Sequence, residues 1–271
     1  MVRFDVHQSE IKHFQTFGFV VFRNAFDAGS LRDELDQALH AGSGRSTRTG
    51  VAEVQYLPMM SRRTPCSLSL LDRFEKAAAA LLEGPVLPVR AKGMHYFGST
   101  SWHTDSSRPV ASVGFAAYLD PLNVENGALR VLPGSHRGEY GSIVAAYLTS
   151  LAPGAAIESL PAVAVATEPG DVIAFDEHLC HASSGGIKRR QWRADYVRDP
   201  VSATEEEEVR AYFAHIFAPE WDGGHDVDAF PSYSPEWIDS ARPAVMRLRE
   251  LGVFELAAQQ ENFARSRRTL A

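Results

Sequence analysis

Cysteine is nearly missing from this chain: Cys66 and Cys180 are the only two in 271 residues. Two thiols exclude a disulfide framework and make a reducing, cytoplasmic setting the default expectation. A basic excess is missing as well. Lys and Arg number 27 against 34 Asp and Glu, for a formal net charge of -7, so the basic face of a nucleic-acid-binding protein is not expected. No apolar stretch approaches the roughly 20 residues that cross a bilayer. The opening Met1-Val2-Arg3-Phe4-Asp5 lacks the apolar run of a signal peptide, so no membrane partner is expected. Internal repeats and low-complexity segments are absent too. What remains is an ordinary globular balance, 45% hydrophobic and 23% charged, with ample material for a core. The expectation is one domain over residues 1–271 acting on a small molecule. Oligomeric state is not legible.

The chain changes texture twice. Residues 1 to about 85 are mainly helical. Ser9 caps a helix carrying Ile11, Phe14 and Phe17 and stopping at Gly18, Phe19-Val20-Val21-Phe22 is a buried strand, and Ser30 caps a helix with Leu31, Leu35, Ala38 and Leu39 on one face. Residues 41–65, with Gly42-Ser43-Gly44-Arg45-Ser46, are polar and basic and read as a disordered linker or an active-site lid, the lid being preferred. A helix over 69–82 follows. From about 86 to 200 the chain turns to short strands, at 89–97, 112–119, 129–132, 162–167, 172–175 and 189–197. Turns such as Asp120-Pro121, Asn126-Gly127, Pro169-Gly170 and Gly185-Gly186 separate them, and a helix over 140–151 interrupts them. Many short strands in one region predict a sandwich or jelly roll. The tail, 201–271, is helical again. Its acidic run Glu205 to Glu208 fits a helix N-terminus better than a metal site. The fold class is therefore mainly β with flanking helices, an α+β protein.

The chemistry concentrates in Ser101-Trp102-His103-Thr104-Asp105. On extended backbone, residues two apart point to the same face, so an imidazole and a carboxylate converge. They make two-thirds of the facial triad that holds non-haem Fe(II) with open coordination positions. The stretch Phe175-Asp176-Glu177-His178-Leu179-Cys180-His181 offers three candidates for the third ligand: His178, Cys180 and His181. Spacing does not choose among them.

Four stretches together resemble the phytanoyl-CoA dioxygenase family of Fe(II)/2-oxoglutarate-dependent oxygenases. They are Phe17-Gly18-Phe19-Val20-Val21-Phe22-Arg23-Asn24, then Trp102-His103-Thr104-Asp105, then Tyr118-Leu119-Asp120-Pro121 with Glu125-Asn126-Gly127-Ala128-Leu129-Arg130-Val131-Leu132-Pro133-Gly134-Ser135-His136, and last Gly170-Asp171-Val172 with Leu179-Cys180-His181-Ala182-Ser183. In family order they cover about residues 10 to 200, and chance does not assemble four such motifs. The resemblance implies a double-stranded β-helix, a cupin-like jelly roll, between N-terminal and C-terminal helices. It implies His103, Asp105 and His181 as the iron ligands and catalytic centre, and leaves His136 as a structural turn residue. It also implies 2-oxoglutarate as cosubstrate and O2 as oxidant, with succinate and CO2 released and a substrate C–H hydroxylated. Related halogenases replace the carboxylate by a small residue, so Asp105 favours hydroxylation or another oxidation over halogenation.

The far carboxylate of 2-oxoglutarate calls for an arginine fork. In Lys188-Arg189-Arg190-Gln191-Trp192-Arg193, alternation puts Arg189, Gln191 and Arg193 on one face. Alignment through Tyr196 selects Arg189 and counting from His181 selects Arg193, so both are carried as cosubstrate-binding candidates. Arg108 could meet an anionic substrate or pair with a surface carboxylate. Met94, Tyr96 and Phe115 could line the pocket, although core packing is the better default for aromatics at strand spacing. The competing expectations are a jelly-roll binding module without chemistry and a cupin-like isomerase or hydrolase using zinc or manganese. A natural-product tailoring role is the guess for substrate class.

Overall fold

The computed structural model describes residues 5–42, 47–49, 52–150, 157, 160–186, 188–217 and 225–269. In chain order the elements are α1 (Gln8–Phe17), β1 (Phe19–Phe22), α2 (Ala28–Gly42), β2 (Thr47–Thr49), β3 (Ala52–Pro58), α3 (Pro65–Leu81), β4 (Val86–Phe97), β5 (Thr100–His103), β6 (Ser112–Tyr118), β7 (Leu129–Val131), α4 (Gly138–Ser150), β8 (Val163–Val165), β9 (Val172–Asp176), β10 (His181–Ser183), β11 (Arg189–Arg198), α5 (Ala203–Ile216), α6 (Pro235–Ile238), α7 (Pro243–Glu250) and α8 (Val253–Thr269). A seven-stranded sheet runs β1-β9-β6-β11-β4-β3-β2 and a four-stranded sheet runs β5-β10-β7-β8, with antiparallel pairing between neighbours. This is the expected jelly roll between helices.

The large sheet is buried on both faces, and each face has its own core. Outward, Phe115, Trp192, Ala194 and Tyr196 pack under α2 and α3 with Leu31, Leu35, Phe74 and Ala78. Phe74 stacks on Phe115 with ring centroids 5.1 Å apart. Two polar tips on this face find partners in α3: the Trp192 indole donates to Ser67 Oγ at 2.7 Å and the Tyr196 hydroxyl to the Leu71 carbonyl. Such satisfaction is what allows polar atoms into a core. Inward, Ala116, Tyr118, Ile173 and Phe175 meet Leu129, Val131 and Val165 of the small sheet. That contact places the sheets face to face.

Several local expectations shift. Helix α1 begins after His7, whose backbone N–H donates to Glu10 at 2.7 Å, so a carboxylate three residues on replaces a Ser9 cap. The second helix starts before Ser30, because Asp27 accepts from both Gly29 N and Ser30 Oγ. The lid expected over 41–65 is corrected: residues 52–58 are strand β3, paired along β4 from Glu53 opposite Phe97 to Pro58 opposite Lys92. Residues 43–46 and 50–51 of that stretch lie outside the described residues. Among the described residues no helix is long and apolar enough to cross a membrane.

Candidate metal centre

The small sheet brings the distal histidine to the proximal motif. His181, on β10, is the direct antiparallel partner of His103, the last residue of β5. Asp105 follows β5 by two residues and is pinned by its backbone N–H, which donates to the Glu177 carbonyl at 2.9 Å. The potential ligand atoms of His103, Asp105 and His181 lie within 4.8 Å of one another. His103 Nε2 is 3.6 Å from Asp105 Oδ1, and His181 Nε2 is 3.4 Å from Asp105 Oδ2.

Local hydrogen bonds decide which imidazole nitrogens are available. His103 Nδ1 lies 2.7 Å from the Ser101 carbonyl and His181 Nδ1 lies 2.8 Å from the Leu179 carbonyl. A carbonyl only accepts, so each Nδ1 carries a proton and each Nε2 is the nitrogen that faces the centre. Burial pushes His181 down to about 4, which keeps it neutral and able to ligate. Burial alone would lower His103 also, but its hydrogen bond with Asp105 and that residue's charge raise it. Burial alone would raise the Asp105 carboxyl; Arg193 and the two imidazoles hold it well below the usual carboxylate range. Two imidazoles and one carboxylate are the donor set of a facial triad for Fe(II).

The two other candidates face elsewhere. Both ring nitrogens of His178 are occupied, Nδ1 by Asp176 and Nε2 by the Arg108 carbonyl. Cys180 points to the opposite side of the strand, into a cluster with Leu132 and Val144, and burial pushes its thiol up to about 11. His136 lies under Gly18, where a Cβ would come within 2.6 Å of its ring, so its part is structural.

The triad opens into a cavity between the sheets, whose wall includes Tyr96, Tyr118, Phe175, Arg189, Gln191 and Arg193. The two arginines have opposite surroundings. Arg193 is already neutralised: it pairs with Asp105, Glu177 and Asp195 at 2.7, 2.8 and 2.5 Å. Arg189 is 2% exposed and among the described residues meets only neutral groups, donating to the carbonyls of Gly127 at 2.8 Å and Gly98 at 2.7 Å, with Tyr96 below its plane. Its Nε is buried without a hydrogen-bond partner. Gly127, at φ 103°, makes this possible, since a Cβ there would sit 2.8 Å from the Arg189 side chain. The Asn126-Gly127 turn is thus also the cradle of an arginine. A buried guanidinium without a carboxylate is unfavourable unless an anion joins it, and the residues present fit both the metal and an anionic cosubstrate.

Three expected substrate residues are displaced. Phe115 lies on the outer face against Phe74 and Tyr196, a correction to its place in the pocket. Met94 is on the inner face but buried beneath Tyr96, whose hydroxyl contacts its sulfur at 3.3 Å. Arg108 pairs with Glu208 of α5 at 3.8 Å, outside the cavity wall. Tyr118 and Glu177 were not anticipated. Tyr118 could have been found by counting two from Ala116 on β6, whereas Glu177 gives no local signal because its partners come from β11 and α5.

A family model described as phytanoyl-CoA dioxygenase (PhyH) matches residues 14–191. No curated protein matches the chain significantly. Solved structures do. SnoK, a non-heme alpha ketoglutarate dependent carbocyclase from nogalamycin biosynthesis, has a TM-score of 0.57 at 16% identity over 72% of this chain and 85% of its own. EvdO2 from Micromonospora carbonacea var. aurantiaca, complexed with 2-oxoglutarate, has 0.53 at 20% over 74% and 95%. The epimerase SnoN, in complex with Fe3+, alpha ketoglutarate and nogalamycin RO, has 0.54 at 19% over 71% and 83%. At such identities the likeness carries the fold.

Proposed function

Because this chain belongs to the phytanoyl-CoA dioxygenase family, we propose that it is an oxygenase that inserts one oxygen atom of O2 into an unactivated C–H bond of a small-molecule metabolite. The class, a non-haem iron and 2-oxoglutarate-dependent enzyme, comes with the family. In this reading His103, Asp105 and His181 hold Fe(II), leaving positions open for cosubstrate and O2. Bound iron supplies the redox chemistry by which O2 decarboxylates 2-oxoglutarate to succinate and CO2 and gives its second oxygen atom to the substrate. Arg189 takes the far carboxylate of 2-oxoglutarate. The observation that carries the reading is the convergence, in one cavity, of the triad and a buried arginine that meets no carboxylate among the described residues. Arg193 is set aside for that role because three carboxylates already occupy its donors.

The residues divide the work. Leu179 and Ser101 hold the imidazole tautomers, Phe175 packs against the His181 ring with centroids 5.1 Å apart, and Tyr96 and Gly127 hold the Arg189 fork. Asp105 occupies the carboxylate place, so hydroxylation or another oxidation is favoured over halide transfer. Natural-product intermediates are the substrate class proposed, supported by relatives of this fold such as SnoK from nogalamycin biosynthesis. The test is anaerobic addition of Fe(II) and 2-oxoglutarate, for which a weak visible charge-transfer band is expected, followed by a metabolite panel in air scored by succinate. A protein that shows neither band nor succinate, while Zn(II) supports another reaction, would overturn the reading.

A further inference from the structure

Behind the metal ligands, the inner face of the large sheet carries a charge network that cosubstrate binding leaves unused. Arg193 is 6% exposed and lies 5.0 Å over the Phe175 ring. Its three guanidinium nitrogens each serve a different carboxylate: Nη1 to Asp105 Oδ2 at 2.7 Å, Nη2 to Glu177 Oε1 at 2.8 Å and Nε to Asp195 Oδ1 at 2.5 Å. Each partner is itself held. Arg90 Nε donates to the other oxygen of Asp195 at 2.6 Å. The Tyr212 hydroxyl of α5 donates to Glu177 Oε2. The Glu177 carbonyl in turn receives the backbone N–H groups of Asp105 and Ser106, at 2.9 and 3.1 Å. Gly114 reserves the space, since a Cβ there would come within 2.8 Å of Arg193 Nη2. Burying this many charges is less favourable than filling the volume with aliphatic side chains, so a positional role is the reason to look for.

Asp105 stands on a loop beyond β5, where nothing in the strand pairing fixes the rotation of its carboxylate. We propose that Arg193 is the positioning residue of the metal centre: its planar fork sets the orientation of the Asp105 carboxylate, and Glu177 with Tyr212 holds the fork. This rests on Asp105 as a metal ligand, as in the preceding subsection. Arg193, Asp195 and Tyr212 all lie beyond residue 191, where the family match ends. The helical tail is thereby wired to the metal through Tyr212, Glu177, Arg193 and Asp105. Partners that orient metal ligands are worth about 10–100-fold in metal affinity.

The test uses Co(II), whose visible d–d bands report ligand geometry without turnover. Arg193→Lys keeps the positive charge beside the metal, but its single nitrogen cannot bridge three carboxylates, so it separates geometry from charge. It is expected to weaken Co(II) binding about tenfold or more and to alter the d–d bands. Tyr212→Phe leaves every charged side chain in place and removes one hydroxyl; it is expected to shift both readouts in the same direction by less, and it carries the test should the lysine variant fail to fold. Wild-type affinity and bands in both variants would overturn the proposal. So would weaker binding with unchanged bands and a lowered melting temperature of the metal-free protein, which would make Arg193 a structural ion pair only. Asp105→Ala separates the two readings: wild-type Co(II) binding in that variant would remove the metal-site assignment itself, and the role of Arg193 with it.

Discussion

The two faces of strand β11 differ as much as any two parts of the molecule. Outward it presents Trp192, Ala194 and Tyr196, all in an apolar core under α2 and α3. Inward it presents Arg189, Gln191, Arg193 and Asp195, all buried and three of them charged. One alternating strand therefore carries fold on one side and chemistry on the other. The difference teaches that burial alone does not mark the core of this protein. Arg193 is nearly as inaccessible as Trp192, yet each of its three guanidinium nitrogens is paired with an acid.

Substitutions on the two faces should separate activity from stability. The largest effect belongs to the inner side: His103→Ala or Asp105→Ala is expected to abolish succinate formation, with the melting temperature of metal-free His103→Ala moving by no more than about 2–4 °C. Succinate at the wild-type rate from either variant would remove the ligand assignment. On the outer side, Phe115→Ala deletes a ring stacked on Phe74 and is expected to destabilise the fold by about 3–5 kcal/mol in urea unfolding. The surviving folded protein should keep its KM for 2-oxoglutarate. A raised KM without lost stability would return Phe115 to the pocket.

Arg189→Met tests the uncompensated cation. Losing one partner of a buried charge pair is worth roughly 2–5 kcal/mol, so 2-oxoglutarate KM should rise about 30-fold or more at ~1.4 kcal/mol per tenfold. The shift in melting temperature that 2-oxoglutarate gives the wild type should vanish. An unchanged KM would pass the role to another cation.

The smallest effect lies outside both faces, at the turn into β9. Burial alone would raise the Asp171 carboxyl, but the N–H groups of Glu168 and Asn24 and the Arg23 guanidinium lower it below its usual 3.8. A depressed folded value means that the stabilisation is complete above pH 3.8 and is lost as the pH falls through the folded value. Asp171→Asn is therefore expected to be less stable at pH 7 by about 1–2 kcal/mol, with the difference closing in acid. A difference that widens below pH 4 would contradict the sign.

Much of this was legible beforehand because it is periodic or local. The strands at 112–119, 129–132 and 189–197 lie within a residue or so of their observed ends, since period-two patterning and turn residues do not depend on distant partners. The inner trio Arg189, Gln191 and Arg193 followed from alternation alone. Phe115 did not, because β6 is buried on both faces from Ser112 to Tyr118 and its apolar pattern names no side. Strand β3 was hidden by the glycine-rich stretch before it, although Val54, Gln55, Tyr56 and Leu57 pair in register with β4.

By itself the sequence determined the ligand types, their short-range spacing and the family, all of which are properties of neighbouring residues. The resemblance had already pointed to His181; tertiary structure supplied the physical reason, because antiparallel pairing puts His181 opposite His103 while Cys180 packs in a separate apolar cluster. It also gave the two arginines different surroundings. Their spacing is equivalent, but the charge around a side chain is set by what folds against it. Arg193 folds among three acids, and Arg189 folds among carbonyls.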